Sequence, residues 1–240
     1  MEINKDELKK NLDSVKERIL RACEKSGRKP EQVKLLAVSK TKPAEAVQAA
    51  LELGQQDFGE NYAQELRGKA AALTDPRIRW HFIGSLQRNK VKYLVGKVAM
   101  IHSVDSASVI EEIDKRATAL GVKVPILLEV KLSEEQTKAG IDPAGLISLA
   151  ESARGKPAVE LKGLMTMPPF FPDPENSRPY YMRLVKTRDD LEKRLNMQLP
   201  ELSMGMSNDF EVAVSEGATL VRVGTAIFGE RVICKVSMAN

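Results

Sequence analysis

Aromatic residues are scarce in this chain: four Tyr, six Phe and one Trp among 240 residues. They are not interleaved with basic residues, so no base-stacking nucleic-acid surface is expected. Cysteine is scarcer. Cys23 and Cys234 lie near opposite ends and match no metal or redox spacing, which reads as two reduced structural thiols of a cytosolic protein. Neither histidine, His81 or His102, has a second ligand at metal spacing, so no metal site is expected. No Gly-x-Ser-x-Gly elbow or Ser-His-Asp ordering is present, which removes the common hydrolase nucleophiles. No apolar run approaches the ~20 residues that span a bilayer. The N-terminus, Met1-Glu2-Ile3-Asn4-Lys5-Asp6-Glu7, lacks the apolar core of a signal peptide. Blocks of like charge are missing too: the net charge of +4 is spread along the sequence and suits an anionic ligand as well as nucleic acid. These absences leave a soluble, cytoplasmic protein with no membrane partner.

What is present is an alternation of short apolar runs and longer amphipathic ones. Asn4 and Glu7 make a capping box, Leu8, Leu12, Val15 and Ile19 follow at helical spacing, and Gly27 stops that helix. Strands are then predicted at 33–39, 56–59, 79–83, 98–103, 124–130, 159–165, 201–204 and 219–223. Helices are predicted at 43–53, 62–73, 107–120, 143–152 and 178–195, with shorter ones at 88–94 and 209–216. Such alternation implies a parallel sheet, and eight repeats favour closure. The expected fold is α/β, a (β/α)8 TIM barrel with an extra N-terminal helix, forming one domain over 1–240. An open doubly wound sheet is the rival. It usually carries a Gly-rich fingerprint after its first strand, where this chain has Ser39-Lys40-Thr41-Lys42-Pro43. The proline-rich stretch 168–179 reads as a loop on the active-site face.

In such a barrel the site lies at the C-terminal strand ends. Lys40 ends the first strand, and an amine there can capture an aldehyde as a Schiff base. Lys42 is the competing amine. Ser203-Met204-Gly205-Met206-Ser207 forms a small turn before a helix that Ser207 or Asn208 can cap, and Gly224-Thr225 follows the last strand. Together, after strands seven and eight, they suggest a phosphate site. Closing the barrel brings strand eight beside strand one, making Arg222 a neighbour of Lys40 able to lower its pKa. Alternatively Arg222 pairs with a carboxylate such as Glu60 or Glu129. His81 either faces a ligand or fills a polar layer; His102 reads as structural.

Six motifs carry a resemblance over nearly the whole chain. They are 37–43 (AVSKTKP), 58–62 (FGENY), 81–90 (HFIGSLQRNK), 163–167 (GLMTM), 203–210 (SMGMSNDF) and 222–229 (RVGTAIFG). In their order they resemble the pyridoxal phosphate homeostasis proteins, which look like the barrel domain of alanine racemase standing alone. That resemblance implies that Lys40 carries pyridoxal 5'-phosphate as a covalent aldimine and that Arg222 faces the pyridine nitrogen. It also implies that Ser207, Gly224 and Thr225 hold the phosphate, with Asn61 and Met165 lining the ring. The expected cofactor-binding set is therefore Lys40, Asn61, His81, Met165, Ser203, Met204, Ser207, Arg222, Gly224 and Thr225, with no catalytic residue and no metal ligand. One departure is mild: loop 134–140 has Thr137 where a serine is common, while its lysine, Lys138, is kept.

An arginine at the ring nitrogen leaves it unprotonated, so carbanion chemistry is weak. Racemisation also needs a second acid/base on the opposite face, which two-domain racemases of this type take from a second domain not expected here. The leading expectation is a monomeric carrier that buffers pyridoxal phosphate and delivers it transiently to pyridoxal-phosphate-dependent apoenzymes. The runner-up is an amino-acid racemase or related enzyme recruiting Tyr62, His81 or Lys138. A third reading is a cofactor-free barrel enzyme whose Lys40 forms an imine with a sugar phosphate.

Overall fold

Eight parallel strands close on themselves in the computed structural model, which describes residues 3–133 and 139–230. Thr137, Lys138 and Cys234 lie outside the described residues. The chain runs α1 (Lys5–Lys25), β1 (Lys34–Val38), α2 (Ala44–Glu52), β2 (Asp57–Glu60), α3 (Ala63–Ala72) and β3 (Arg79–Phe82). It continues with β4 (Met100–Val104), α4 (Ala107–Leu120), β5 (Val124–Glu129), α5 (Pro143–Arg154) and β6 (Val159–Met165). The remainder is α6 (Arg178–Leu195), β7 (Glu201–Ser203), α7 (Phe210–Ser215), β8 (Leu220–Val223) and α8 (Thr225–Phe228). Strand order follows sequence order, and β8 pairs with β1, so the closed barrel prevails over the open sheet.

The first helix begins as its sequence implies. Asn4 Oδ1 accepts the Glu7 N–H at 3.1 Å, and Leu8, Leu12, Val15, Ile19, Ala22 and Cys23 form its buried face. This helix packs against α7, α8 and α2. Because α8 is only four residues long, α1 supplies the cover that a full eighth helix would give. Between β3 and β4 the predicted short helix is instead a 3-10 helix, Arg88–Tyr93. The tighter 3-10 turn spans the gap between the two strands.

Strand periodicity sorts side chains into two cores. Phe58, Phe82, Ile101, Leu128, Leu164 and Leu202 face the helices. Leu36, Val38, Ile83, Met100, Leu127, Met165 and Leu220 form a separate cluster inside the barrel. In β6 an extra residue resets the alternation, since Leu161 pairs with Ile126 but Gly163 pairs with Leu127. That slip turns Met165 inward. Gly163 is obligatory there, because a Cβ would stand 1.7 Å from the Glu201 carbonyl oxygen. The inward positions also include a buried polar set: Asp57, His81, His102, Glu129, Ser203 and Arg222. No helix among the described residues is long and apolar enough to cross a membrane.

Candidate functional site

Lys40 sits in a turn at the top of β1, closed by a Lys42 N–H donated to the Ser39 carbonyl at 3.0 Å. Thr41, third in that turn, has a φ of 64°. This left-handed conformation is unfavourable for a β-branched residue, so its surroundings must hold it. They do so from α3. Lys69 Nζ donates to the Ser39 carbonyl, to Glu60 Oε1 and to Glu65 Oε1, each at 2.7 Å. Glu65 Oε1 in turn accepts the Thr41 N–H at 2.7 Å, and Ser39 Oγ donates to Glu60 Oε1 at 2.6 Å. Both neighbours of Lys40 are thereby fixed to one helix. Glu60 is fully buried, and burial raises its carboxyl pKa against the pull of Lys69 and Ser39. Lys42 is engaged elsewhere: its ammonium donates to the carbonyls of Phe228 at 2.7 Å and Glu230 at 3.0 Å. That ties Lys42 to the end of α8.

Arg222 is 3% exposed and points into the barrel. Its Nη1 donates to Ser203 Oγ at 2.6 Å and its Nη2 to the Thr166 carbonyl at 3.0 Å. No hydrogen bond or salt bridge among the described residues joins it to Glu60 or Glu129, and Glu129 acts on it through charge alone. The expected contact with Lys40 is also revised. The register partner of Arg222 on β1 is Leu36, which leaves Lys40 four residues further along the chain. That offset is up to roughly 13 Å of backbone between the two positions.

The loops after β7 and β8 meet. Ser207 Oγ accepts the N–H of Gly224 at 3.2 Å and of Ala226 at 3.5 Å. Ser207 therefore does not cap the following helix. That position belongs to Asp209, whose Oδ1 accepts the Met206 N–H at 2.7 Å. Asp209 Oδ2 accepts from Tyr181 Oη at 2.7 Å and from Ser177 Oγ at 3.0 Å, anchoring the loop to α6. Burial and the adjacent Asp209 push the Tyr181 hydroxyl pKa up, so it stays a donor. Gly205 makes the tight fold of this loop possible: its φ is 90°, and a Cβ would lie 2.5 Å from Ala213 Cβ. Close approach also governs Gly224, where a Cβ would stand 3.3 Å from the Val38 carbonyl oxygen. The Ser207 hydroxyl thus sits against the backbone N–H groups that follow β8, with Thr225 exposed beside them, which are group types that bind phosphate oxygens.

Glu129 faces inward on β5, the strand opposite β1 in an eight-stranded barrel. Burial pushes its carboxyl pKa up to about 7, with Arg222 opposing and Asp105 reinforcing the rise. Sequence reasoning weighed it only as a partner for Arg222. The signal available was a glutamate in an otherwise apolar strand, but its facing depends on the barrel.

The remaining expected site residues divide. Asn61 follows β2 at the mouth, and its backbone packs so tightly on Gly84 that a Cβ there would lie 2.0 Å from the Asn61 carbonyl oxygen. Met165 is fully buried and is the register neighbour of both Glu129 and Ser203. Ser203 is the acceptor for Arg222, and its hydroxyl also meets His102 Nδ1. Met204 is fully buried in the cluster between sheet and helices, facing away from the mouth because it alternates with Ser203. His81 has both ring nitrogens engaged, Nδ1 with His102 Nε2 at 2.9 Å and Nε2 with Asp57 Oδ1 at 3.0 Å. It fills the polar layer and has no nitrogen left for a ligand. Among the described residues no group of three or more His, Cys, Asp or Glu side chains could hold a metal ion.

A parallel eight-stranded barrel with a lysine after β1, an inward arginine on β8 and a β7–β8 anion cradle defines a distinct class of binding site. The family model for the alanine racemase N-terminal domain matches residues 3–232. The pyridoxal phosphate homeostasis protein of Aquifex aeolicus is 49% identical over 220 residues, covering 92% of this chain and 96% of that protein. PipY of Synechococcus elongatus, solved with pyridoxal phosphate bound, superposes with a TM-score of 0.82 at 38% identity, covering 92% of this chain and all of that one. A protein of unknown function from Bifidobacterium adolescentis superposes with a TM-score of 0.87 at 37% identity, covering 95% of this chain and 98% of that chain. The chain belongs to the pyridoxal phosphate homeostasis protein family, within the alanine racemase N-terminal domain fold.

Proposed function

We propose that this protein binds pyridoxal 5'-phosphate through Lys40 and serves intracellular pyridoxal phosphate homeostasis. What supports the reading is the placement of three ligand groups at or after the ends of the adjacent strands β1, β7 and β8. The Lys40 amine, the Arg222 guanidinium and the Ser207–Gly224 cradle match an aldehyde, a pyridine nitrogen and a phosphate in turn. The donor set suits the group: a neutral hydroxyl and backbone N–H groups accept a phosphate dianion, and the arginine donates to a ring nitrogen that carries no proton. When bound, the cofactor would supply an aldehyde, and Lys40 would hold it through its amine.

The protein's own residues do the holding. The α3 clamp fixes the backbone on both sides of Lys40, so the amine approaches from one direction. Met165 and Val38 line a dry floor beneath the mouth and exclude water. Asn61 borders the same opening. We assign the whole span 1–240 to one cytoplasmic, monomeric unit that passes its ligand transiently to apoenzymes. The racemase alternative draws support from Glu129, a protonatable group on the wall opposite Lys40.

An absorbance spectrum of the purified protein with added pyridoxal phosphate tests the first reading. A yellow Schiff-base band lost in Lys40→Ala is expected, and a band that persists in that variant refutes the assignment. Incubating the loaded protein with single L-amino acids in deuterated water separates the two readings, because α-proton exchange at enzyme-like rates rejects a pure carrier.

A further inference from the structure

The barrel interior holds a continuous line of hydrogen bonds that the ligand-holding groups alone do not require. Arg79 Nε and Nη2 donate to Asp57 Oδ1 and Oδ2 at 2.8 and 2.5 Å. Asp57 Oδ1 meets His81 Nε2 at 3.0 Å, and His81 Nδ1 meets His102 Nε2 at 2.9 Å. His102 Nδ1 meets Ser203 Oγ at 2.9 Å, and Ser203 Oγ accepts Arg222 Nη1 at 2.6 Å. Asp57, His81, His102 and Ser203 are all buried, so none of these atoms can exchange its partner for bulk water.

With both rings neutral, donor and acceptor capacity gives every link one direction. The Asp57 carboxylate can only accept, so His81 Nε2 carries its proton. A neutral His81 has Nδ1 as an acceptor, which requires His102 to donate from Nε2. A neutral His102 accepts at Nδ1, which requires the Ser203 hydroxyl to donate there. Ser203 thus turns its proton away from Arg222 and presents a lone pair to the guanidinium. Burial and the neighbouring His81 and Arg222 hold the His102 pKa well below its ordinary value, in keeping with a neutral ring.

We propose that Asp57, His81, His102 and Ser203 are positioning residues that orient the Arg222 guanidinium through a one-directional relay, with both imidazoles locked in the Nε2–H tautomer. Four links transmit the acceptor character of Asp57 to Arg222. If either imidazole flipped, His102 would donate to Ser203, the hydroxyl proton would be displaced, and it would compete with Arg222 Nη1 for space. The Thr166 carbonyl would then be the sole fixed acceptor for the guanidinium. The inference rests on the proposed pyridoxal phosphate site for its consequence, while the tautomers themselves are a property of the protein alone.

The chain has two histidines and both belong to the relay, so 15N-histidine labelling gives spectra of these rings only. Long-range proton–nitrogen correlation spectra of the aldehyde-free protein are expected to show two neutral rings, each protonated at Nε2. A ring protonated at Nδ1 overturns the proposal whether or not the protein binds the cofactor. In the second arm, His102→Gln retains a donor toward His81 and an acceptor toward Ser203, whereas His102→Leu retains neither. Affinity for pyridoxal phosphate is expected to fall about tenfold in His102→Leu and to return to within about twofold of wild type in His102→Gln. Equal affinity in all three proteins overturns the relay while leaving the binding reading intact. A wild-type protein that binds no pyridoxal phosphate overturns the binding reading, and the tautomers still decide the relay. Should His102→Leu not fold, Ser203→Ala against Ser203→Thr provides the same contrast at the last link.

Discussion

Replacing Glu129 by glutamine should stabilise the aldehyde-free protein at alkaline pH and leave it unchanged in acid. Glu129 is 3% exposed, and burial raises its carboxyl from the usual 4.5 to about 7. Folding therefore favours its protonated form. Between pH 4.5 and about 7 the folded state binds more protons than the unfolded chain, so stability falls as pH rises through that window. Above it, both states are ionised and the cost is complete. A rise of that extent corresponds to about 3 kcal/mol, at ~1.36 kcal/mol for each pH unit. A glutamine side chain keeps the volume and cannot ionise, so it avoids that cost. For a chain of this size a gain of about 3 kcal/mol moves the melting temperature by roughly 6–12 °C. Urea melts of wild type and Glu129→Gln at about pH 5, 6, 7 and 8 should diverge progressively, the variant gaining at the upper end. Two curves that keep a constant separation across that range would refute the argument, because a pH-independent difference reports packing and not ionisation.

Lys69→Met removes the cation shared by Glu60, Glu65 and the Ser39 carbonyl. Loss of one partner from a buried pair should cost about 3–5 kcal/mol in urea unfolding, and an unchanged midpoint would contradict the clamp. Ser207→Ala should weaken pyridoxal phosphate binding about tenfold by calorimetry while leaving unphosphorylated pyridoxal unaffected. Equal losses for both ligands would remove Ser207 from the phosphate cradle. Gly205→Ala meets both a φ of 90° and a Cβ 2.5 Å from Ala213 Cβ. A loss of about 1–3 kcal/mol is expected in thermal or urea melts, and no loss would mean that the loop relaxes freely.

The barrel was legible because its signals are local. Alternating apolar runs, the Asn4 cap and the missing glycine fingerprint after β1 each depend on a few neighbouring residues. Strand ends were legible for the same reason, which is why Lys40, Arg222, Ser207 and Gly224 were correctly placed at or just after the ends of β1, β7 and β8. Facing was harder. Met204 and Ser203 are adjacent in sequence yet point to opposite cores, and Met165 faces inward only because β6 carries an extra residue. Register was beyond reach as well. Strand closure correctly puts β8 beside β1, but only the paired positions reveal that Arg222 lies at the level of Leu36 and not Lys40. The α3 clamp and the His81–His102 relay join residues from separate units, and no periodicity within either unit announces them.

The partners chosen for Arg222 bear on what the site can do. A carboxylate in contact with that guanidinium would cancel its charge and compete with any ligand for its donors. Ser203 and the Thr166 carbonyl are neutral acceptors, so they orient the side chain and leave its cation available. Burial favours a neutral Arg222, and the negative charge of Glu129 and Asp209 offsets that pull from a distance. An arginine also keeps its proton at any physiological pH, so it donates to a ring nitrogen without handing a proton over. A pyridine held in that way is a poor sink for electrons, because its nitrogen gains no positive charge. On the proposed binding mode, the geometry that would grip a pyridoxal ring also withholds the electronic help that turnover needs. The α3 clamp on Lys40 and the cradle at Ser207 add further grip, while on the facing wall Glu129 is the inward protonatable side chain among the described residues of β5. Holding groups are concentrated on β1, β7 and β8, which is the distribution that favours retention of an aldehyde over its chemical use.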